Sequence, residues 1–329
     1  MVHPLIITDA DGVDVRALDD YELDIAYGDD ENNLAIIDNT GAGIDVGAYV
    51  YLDGSDIGGT IDGIELDTTT GTITLQGRSL TGILAQKVIV PDAGQSHLTV
   101  SGDANVVLGQ LITRLDLNDV FVASADVSGI SVKSYTFARY VDAYTGIRDM
   151  LAAAGGKLKM RRTTGGKFEI YAEAAVVYGD EVSSEIIDFV GEKWSRKTNH
   201  LIALGKGEGA ARTVIHRYAD ADGVVSSTQS LFGVDEIAEV YDASNVEDDE
   251  LAEDATKKLE DEQKIDSVDV SISSRDDIIF DIGDKVTGFD ADRRIRIDAT
   301  ISKKIVKVSK GIMTTSYSAG SIKVTPNRS

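Results

Sequence analysis

Cysteine is absent from the 329 residues, which excludes disulfides, zinc–thiolate centres and thiol catalysis. Proline occurs three times, tryptophan once, and aromatic residues make up 6% of the chain, little stacking surface for a sugar-processing cleft. No apolar run approaches the roughly 18–20 residues of a membrane helix, so no membrane span is expected. The first residues, Met1-Val-His-Pro-Leu-Ile-Ile-Thr-Asp9, lack the basic head and long apolar stretch of a signal peptide. The expectation is a soluble protein made in the cytoplasm.

Positive charge is also scarce. Lys and Arg number 32 against 56 Asp and Glu, a formal net charge of −24. Phosphate attraction needs clustered basic residues, so nucleic-acid binding and polybasic membrane binding are excluded. The acids are not spread evenly. Residues 1–67 hold 17 acids and one base (Arg16), residues 242–266 hold 11 acids and three bases, and the remainder balances at 28 of each. Hydrophobic residues make up 42% and recur periodically, which argues against global disorder.

What is abundant is glycine, 32 residues, set among Thr, Val and Ile, the composition of strands joined by tight turns. Tyr21 to Tyr27 alternates apolar and acidic, a half-buried strand. Ile57 to Leu66 and Gly71 to Gly77 predict a hairpin, followed by a short helix over Arg78 to Leu84. Asp103 and Asp142 sit where they would cap two helices, the second closed by Gly155-Gly156. Lys157 to Arg162 and Lys167 to Tyr171 predict a hairpin with a basic outer face. Trp194 to Ile202 and Arg212 to Tyr218 read as strands, Asp248 to Lys264 as a charged helix, and Ser267 to Ser273 as an alternating strand. Arg294 to Val308 and Ile312 to Tyr317 predict a last hairpin turning at Lys310-Gly311. The fold class expected is β-rich α+β: a β-barrel-like module over 1–92, an α/β module over 93–190, and a second β-barrel-like module over 191–329.

Chemistry-bearing motifs are few. His3, His97, His200 and His216 show no helical zinc spacing, and His200 and His216 read as strand positions in a sheet. Gly205-Lys-Gly-Glu-Gly209 leads into a strand, whereas a phosphate loop leads into a helix. Asp9-Ala-Asp-Gly-Val-Asp14 fails the calcium-loop pattern, and Asp220-Ala-Asp-Gly223 and Asp290-Ala-Asp292 read as hairpin turns with at most weak affinity for divalent cations. No Gly-x-Ser-x-Gly elbow occurs, and no spacing rule selects a carboxylate pair. No catalytic residue, cofactor or metal ligand is assigned, and the expectation is a protein that is not an enzyme.

Ordered signatures point elsewhere. Trp194-Ser-Arg-Lys-Thr-Asn-His-Leu-Ile-Ala-Leu-Gly-Lys-Gly-Glu-Gly-Ala-Ala-Arg212 resembles the signature of a siphovirus tail-protein family, the ReqiPepy-type tail proteins: a strand with an Asn, a Gly-x-Gly-Glu-Gly turn, then an Arg. Gln76 to Leu84, Tyr140 to Leu151, Phe232 to Ala243 and Phe280-Asp-Ile-Gly-Asp-Lys-Val286 are similar to further family segments in the same order. The resemblance spans about residues 20–310 and marks Trp194, Asn199, Gly205, Gly207, Glu208, Gly209, Arg212, Gly283 and Asp284 as signature positions. Glu208 and Arg212 are placed to pair across the turn.

That family is similar to phage baseplate and tail-tip hub proteins. The resemblance implies a homotrimer forming a ring at the end of the tail tube, in a virion. Its implied partners are the distal tail protein, the tape-measure protein and receptor-binding or tail-tip proteins, with DNA a passing cargo and not a ligand. The chain stops soon after the last hairpin, so the resemblance carries no expectation of a fused lysin. The alternatives are a tail-tip hydrolase of cell-wall polysaccharide or peptidoglycan, and a carbohydrate-binding β protein.

Overall fold

A computed structural model describes residues 4–28, 31–38, 44–178, 187–188, 197–221, 223–244, 246, 248–264, 273–274, 279–290 and 295–326. The chain divides into two compact units, one formed by Met1–Phe189 with Val270–Ser329, the other by Val190–Asp269.

The first unit is built on an eleven-stranded sheet. Strand Glu22–Gly28 shows how it forms: Leu23 and Ile25 are buried while Glu22 and Asp24 face solvent. Strand Ile295–Ser309 pairs antiparallel with it, placing Val306 opposite Ile25, Val308 opposite Leu23 and Lys307 opposite Asp24. Both valines are fully buried in the same core, each worth about 1.5–3 kcal/mol. The alternation of the two strands therefore selects this register. Strand Ile312–Pro326 returns along the same strand through Lys310-Gly311, both at positive φ, the geometry of a tight hairpin turn.

The path of this sheet runs from Val177–Tyr178 at one end to Asp14–Leu18 at the other, and it does not close. The expected barrel closure is absent from the described strands. The module expected over 191–329 is also divided, since the second unit ends at Asp269. Strands Lys285–Asp290, Ile295–Ser309 and Ile312–Pro326 join the sheet of the first 80 residues and not the strands after residue 200. The cause is a match of apolar faces between strands some 280 positions apart, which local pattern does not reveal.

The same unit holds three helices and smaller sheets. Helix α1, Leu80–Ala85, is capped by Ser79, whose Oγ accepts from Gly82 N. It begins later than predicted because Arg78 belongs to strand Thr72–Ser79. Helix α2, Ala104–Arg114, is capped by Asp103, and helix α3, Ala143–Ala153, by Asp142, as their sequences predict. Their buried faces meet the parallel and antiparallel pairs of strands Phe121–Ala123, Phe168–Ala174 and Gly156–Arg162 around Phe121, Phe137 and Phe168.

In the second unit strand His200–Leu204 is central, with Val214–Ala219 antiparallel on one side and Ala238–Asp242 parallel on the other. Helix α4, Asp248–Lys264, lays Leu251, Ala255 and Leu259 against Leu201 and Ala203. Its charged residues fall on the remaining faces, as an amphipathic surface helix requires. Trp194, residues 267–272 and Asp292 lie outside the described residues.

Candidate functional site

The described signature positions lie at the two ends of one strand in the second unit and at one turn in the first. In the second unit, Asn199 stands at the start of the central strand. Its Nδ2 donates to the Asp235 carbonyl and its Oδ1 accepts from Ile237 N, while its backbone carbonyl accepts from Ala219 N. One side chain thus ties the segment before Ala238–Asp242 to the central strand.

At the other end of that strand lies the glycine turn. Gly205 N donates to the Thr213 carbonyl, and a Cβ at Gly205 would come within 2.6 Å of Leu251 on α4. Gly207 has φ +111°, and a Cβ there would meet the Ala211 carbonyl at 2.7 Å. Gly209 has φ +56° but open space around it. Only glycine meets the conformation and the close approach at Gly207 without strain. The turn closes through one 3₁₀ turn, Gly209–Ala211, and leads into strand Val214–Ala219. It is a hairpin connection and not a phosphate cradle.

Arg212 does not pair with Glu208, contrary to the sequence expectation. Its Nε donates to the Gly205 carbonyl at 2.9 Å, its Nη2 to the Leu204 carbonyl at 3.2 Å, and Nη2 also pairs with Asp242. The parallel partner strand ends beside the turn and offers its last carboxylate, whereas Glu208 points to solvent. The hydrogen bond from Arg212 holds the Asp242 carboxyl below its ordinary range.

In the first unit, Gly283 and Asp284 form the turn before strand Lys285–Asp290. Asp284 is fully buried, and Lys157 is nearly so. Asp284 Oδ1 accepts from Lys157 Nζ at 2.9 Å and from Val176 N at 2.9 Å, and Oδ2 accepts from Asp281 N. Lys157 Nζ also donates to Asp281 Oδ2 at 2.8 Å, and Lys159 Nζ to Asp281 Oδ1 at 2.7 Å. The sequence predicts that the hairpin of Lys157 to Arg162 and Lys167 to Tyr171 presents a basic outer face. Instead Lys157 and Lys159 turn onto this carboxylate pair. Burial lowers the Lys157 ammonium, but its hydrogen bonds to Asp281 and Asp284 outweigh that and raise it overall. Burial raises the Asp281 carboxyl, and the bonds from Lys157 and Lys159 outweigh that and hold it low. With both oxygens of Asp284 satisfied, the arrangement is a lock between strands and not a reactive acid.

Two features were missed by sequence reasoning. Lys303, Lys304 and Lys307 neutralise part of the first acidic block, meeting Glu31 at 2.9 Å, Asp56 at 3.0 Å and Asp24 at 2.7 Å. A sheet pairing of residues so far apart left no local signal. The second is a histidine pair: His200 Nε2 lies 2.8 Å from His216 Nδ1, and His200 Nδ1 lies 2.5 Å from Glu236 Oε1. Two of the acidic turns behave as turns, with Asp9 Oδ1 accepting from Asp11 N and Val13 N and Asp220 Oδ1 from Val224 N.

No protein-family model matches the sequence, and no curated protein matches it. Solved structures do. The 43 kDa tail protein of prophage MuSo2 from Shewanella oneidensis superposes with a TM-score of 0.51 at 10% identity, covering 96% of this chain and 98% of that one. The chain has the fold of a phage tail protein. The tail protein from Neisseria meningitidis MC58 is similar at a TM-score of 0.48 and 13% identity over 97% of this chain and 96% of its own. A chain of the phage P2 baseplate, in its activated conformation with Ca, is similar at 0.49 and 10% over 98% of each chain. The MuSo2 match covers 96% of this chain, so it takes in residues of both units.

Proposed function

We propose that this chain is a structural, non-enzymatic phage tail protein that acts as the hub of the tail tip in the virion. The observation that carries the reading is the end-to-end match to the prophage MuSo2 tail protein, over 96% of one chain and 98% of the other. The ordered signatures between about residues 20 and 310 support it, since seven of the nine marked side chains or glycines have a defined part in a turn or strand junction.

In this reading three copies form a ring at the end of the tail tube. The ring meets the distal tail protein and the tape-measure protein on one side and receptor-binding proteins on the other, and DNA passes through it during ejection. The charge supports the passage. Exposed acids of the first block outside the lysine pairs include Asp11, Asp19, Asp20, Asp53, Glu65 and Asp67. Carboxylates repel phosphate within a Debye length of about 8 Å at physiological salt, so a narrow wall bearing them lets DNA slide without adsorbing.

The test is a reconstruction of the purified protein assembled at micromolar concentration, imaged by electron cryomicroscopy. A threefold ring with these carboxylates around its axis is expected. A ring carrying them only on its outer rim would refute the passage role, and clear lysis of host cell walls by the same preparation in zymograms would replace the structural reading with an enzymatic one.

A further inference from the structure

The histidine pair on the second unit's sheet has no part in the proposed hub role. Leu201 and Ala203 of the central strand face α4, so by alternation His200 and Ile202 face the opposite side. His216 lies across from Ile202 on the neighbouring strand, which sets it diagonal to His200 on that same face. His216 is exposed.

Three contacts orient His200. Tyr218 stacks on its ring with centroids 4.4 Å apart. Glu236 Oε1 sits 2.5 Å from Nδ1, which places the ring proton there and leaves Nε2 with its lone pair. That lone pair points at His216 Nδ1, 2.8 Å away. The exposed His216 ring can carry its own proton on Nε2 instead, and both facing nitrogens then present lone pairs. A carboxylate behind one imidazole is the arrangement that orients metal-ligating histidines.

We propose that His200 Nε2 and His216 Nδ1 form a two-histidine site for Zn²⁺, with Glu236 positioning His200. Zinc–imidazole bonds of about 2.0–2.1 Å in tetrahedral geometry put the two nitrogens about 3.3 Å apart. The site reaches that spacing by a shift of roughly half an ångström at the exposed ring. Among the described residues no third His, Asp or Glu joins the pair, so water completes the coordination and the ion exchanges readily. Imidazole nitrogens select a borderline transition metal over Mg²⁺ or Ca²⁺, which take oxygen ligands.

The experiment is a calorimetric titration of the full chain with ZnCl₂ in the presence of excess Mg²⁺. Mg²⁺ occupies the surface carboxylates and leaves imidazole free. A His3→Ala/His97→Ala background removes the other two histidines. One equivalent of Zn²⁺ is expected to bind, with binding lost in His216→Ala and His216→Asn and weakened roughly 10–100-fold in Glu236→Gln. Thermal melts of the His216 variants check that the exposed substitution leaves the fold intact. Absence of saturable binding in the background protein, or undiminished affinity in both folded His216 variants, overturns the proposal.

Discussion

Asp284 is fully buried, with Lys157 Nζ and Val176 N on one carboxylate oxygen and Asp281 N on the other. Gly283-Asp284 forms a turn that carries a buried acceptor for Lys157. Removing one partner of a buried ion pair leaves the other uncompensated, at a cost of about 3–5 kcal/mol. Asp284→Ala is therefore expected to lower stability by that amount in urea melts, and pairing it with Lys157→Met should recover part of the loss. Asp281 adds a pH signature. Its folded pKa lies below its unfolded value of about 3.9, so its contribution is complete above that value and is lost as pH falls through the folded pKa. Asp281→Asn should flatten the stability–pH curve below about pH 4; an unchanged acid limb would contradict the assignment. At the glycine turn, Gly207→Ala should destabilise more than Gly209→Ala, because both positions have positive φ but only Gly207 has backbone within 3.0 Å of the added carbon. The glycines were legible from composition and spacing. The partner of Arg212 was not, since Asp242 lies 30 residues away on a parallel strand. Arg212→Ala is expected to cost about 1–3 kcal/mol through its two carbonyl hydrogen bonds, while Glu208→Ala stays within about 0.5 kcal/mol.

Elements with a local cause were readable. The caps at Asp103 and Asp142, the strand at Glu22–Gly28 and the stripe Leu251, Ala255, Leu259 follow from capping chemistry and periodicity within a few residues. The assignment of the last hairpin to a separate module failed because its partner is the third strand of the chain. Its apolar face is shared with that strand, and its lysines meet acids of the first block. These pairs differ in worth. Lys304 is 7% exposed against Asp56, whereas Lys307 and Asp24 are both more than half exposed. Lys304→Ala should therefore destabilise measurably in thermal melts, and Lys307→Ala should change little and lose even that effect in high salt. Equal losses at the two positions would show that burial does not govern the pairs.

At the scale of the whole molecule, the charge of −24 is divided between acids that hold strands together and acids left to solvent. Three copies would carry three times that charge, −72, and self-repulsion of this size should make assembly salt-dependent. Sedimentation at micromolar concentration is expected to show trimer gaining over monomer as ionic strength rises; the reverse trend would count against a ring of these subunits. The fold itself is that of a phage tail protein, but fold does not fix a place in the particle. Antibody labelling of intact phage particles, viewed by electron microscopy, tests that place most directly. Label confined to the tail end distal to the capsid is the predicted result. Label on the capsid or along the tube, or particles that carry none of the protein, would contradict the assignment of this chain to the hub of the tail tip.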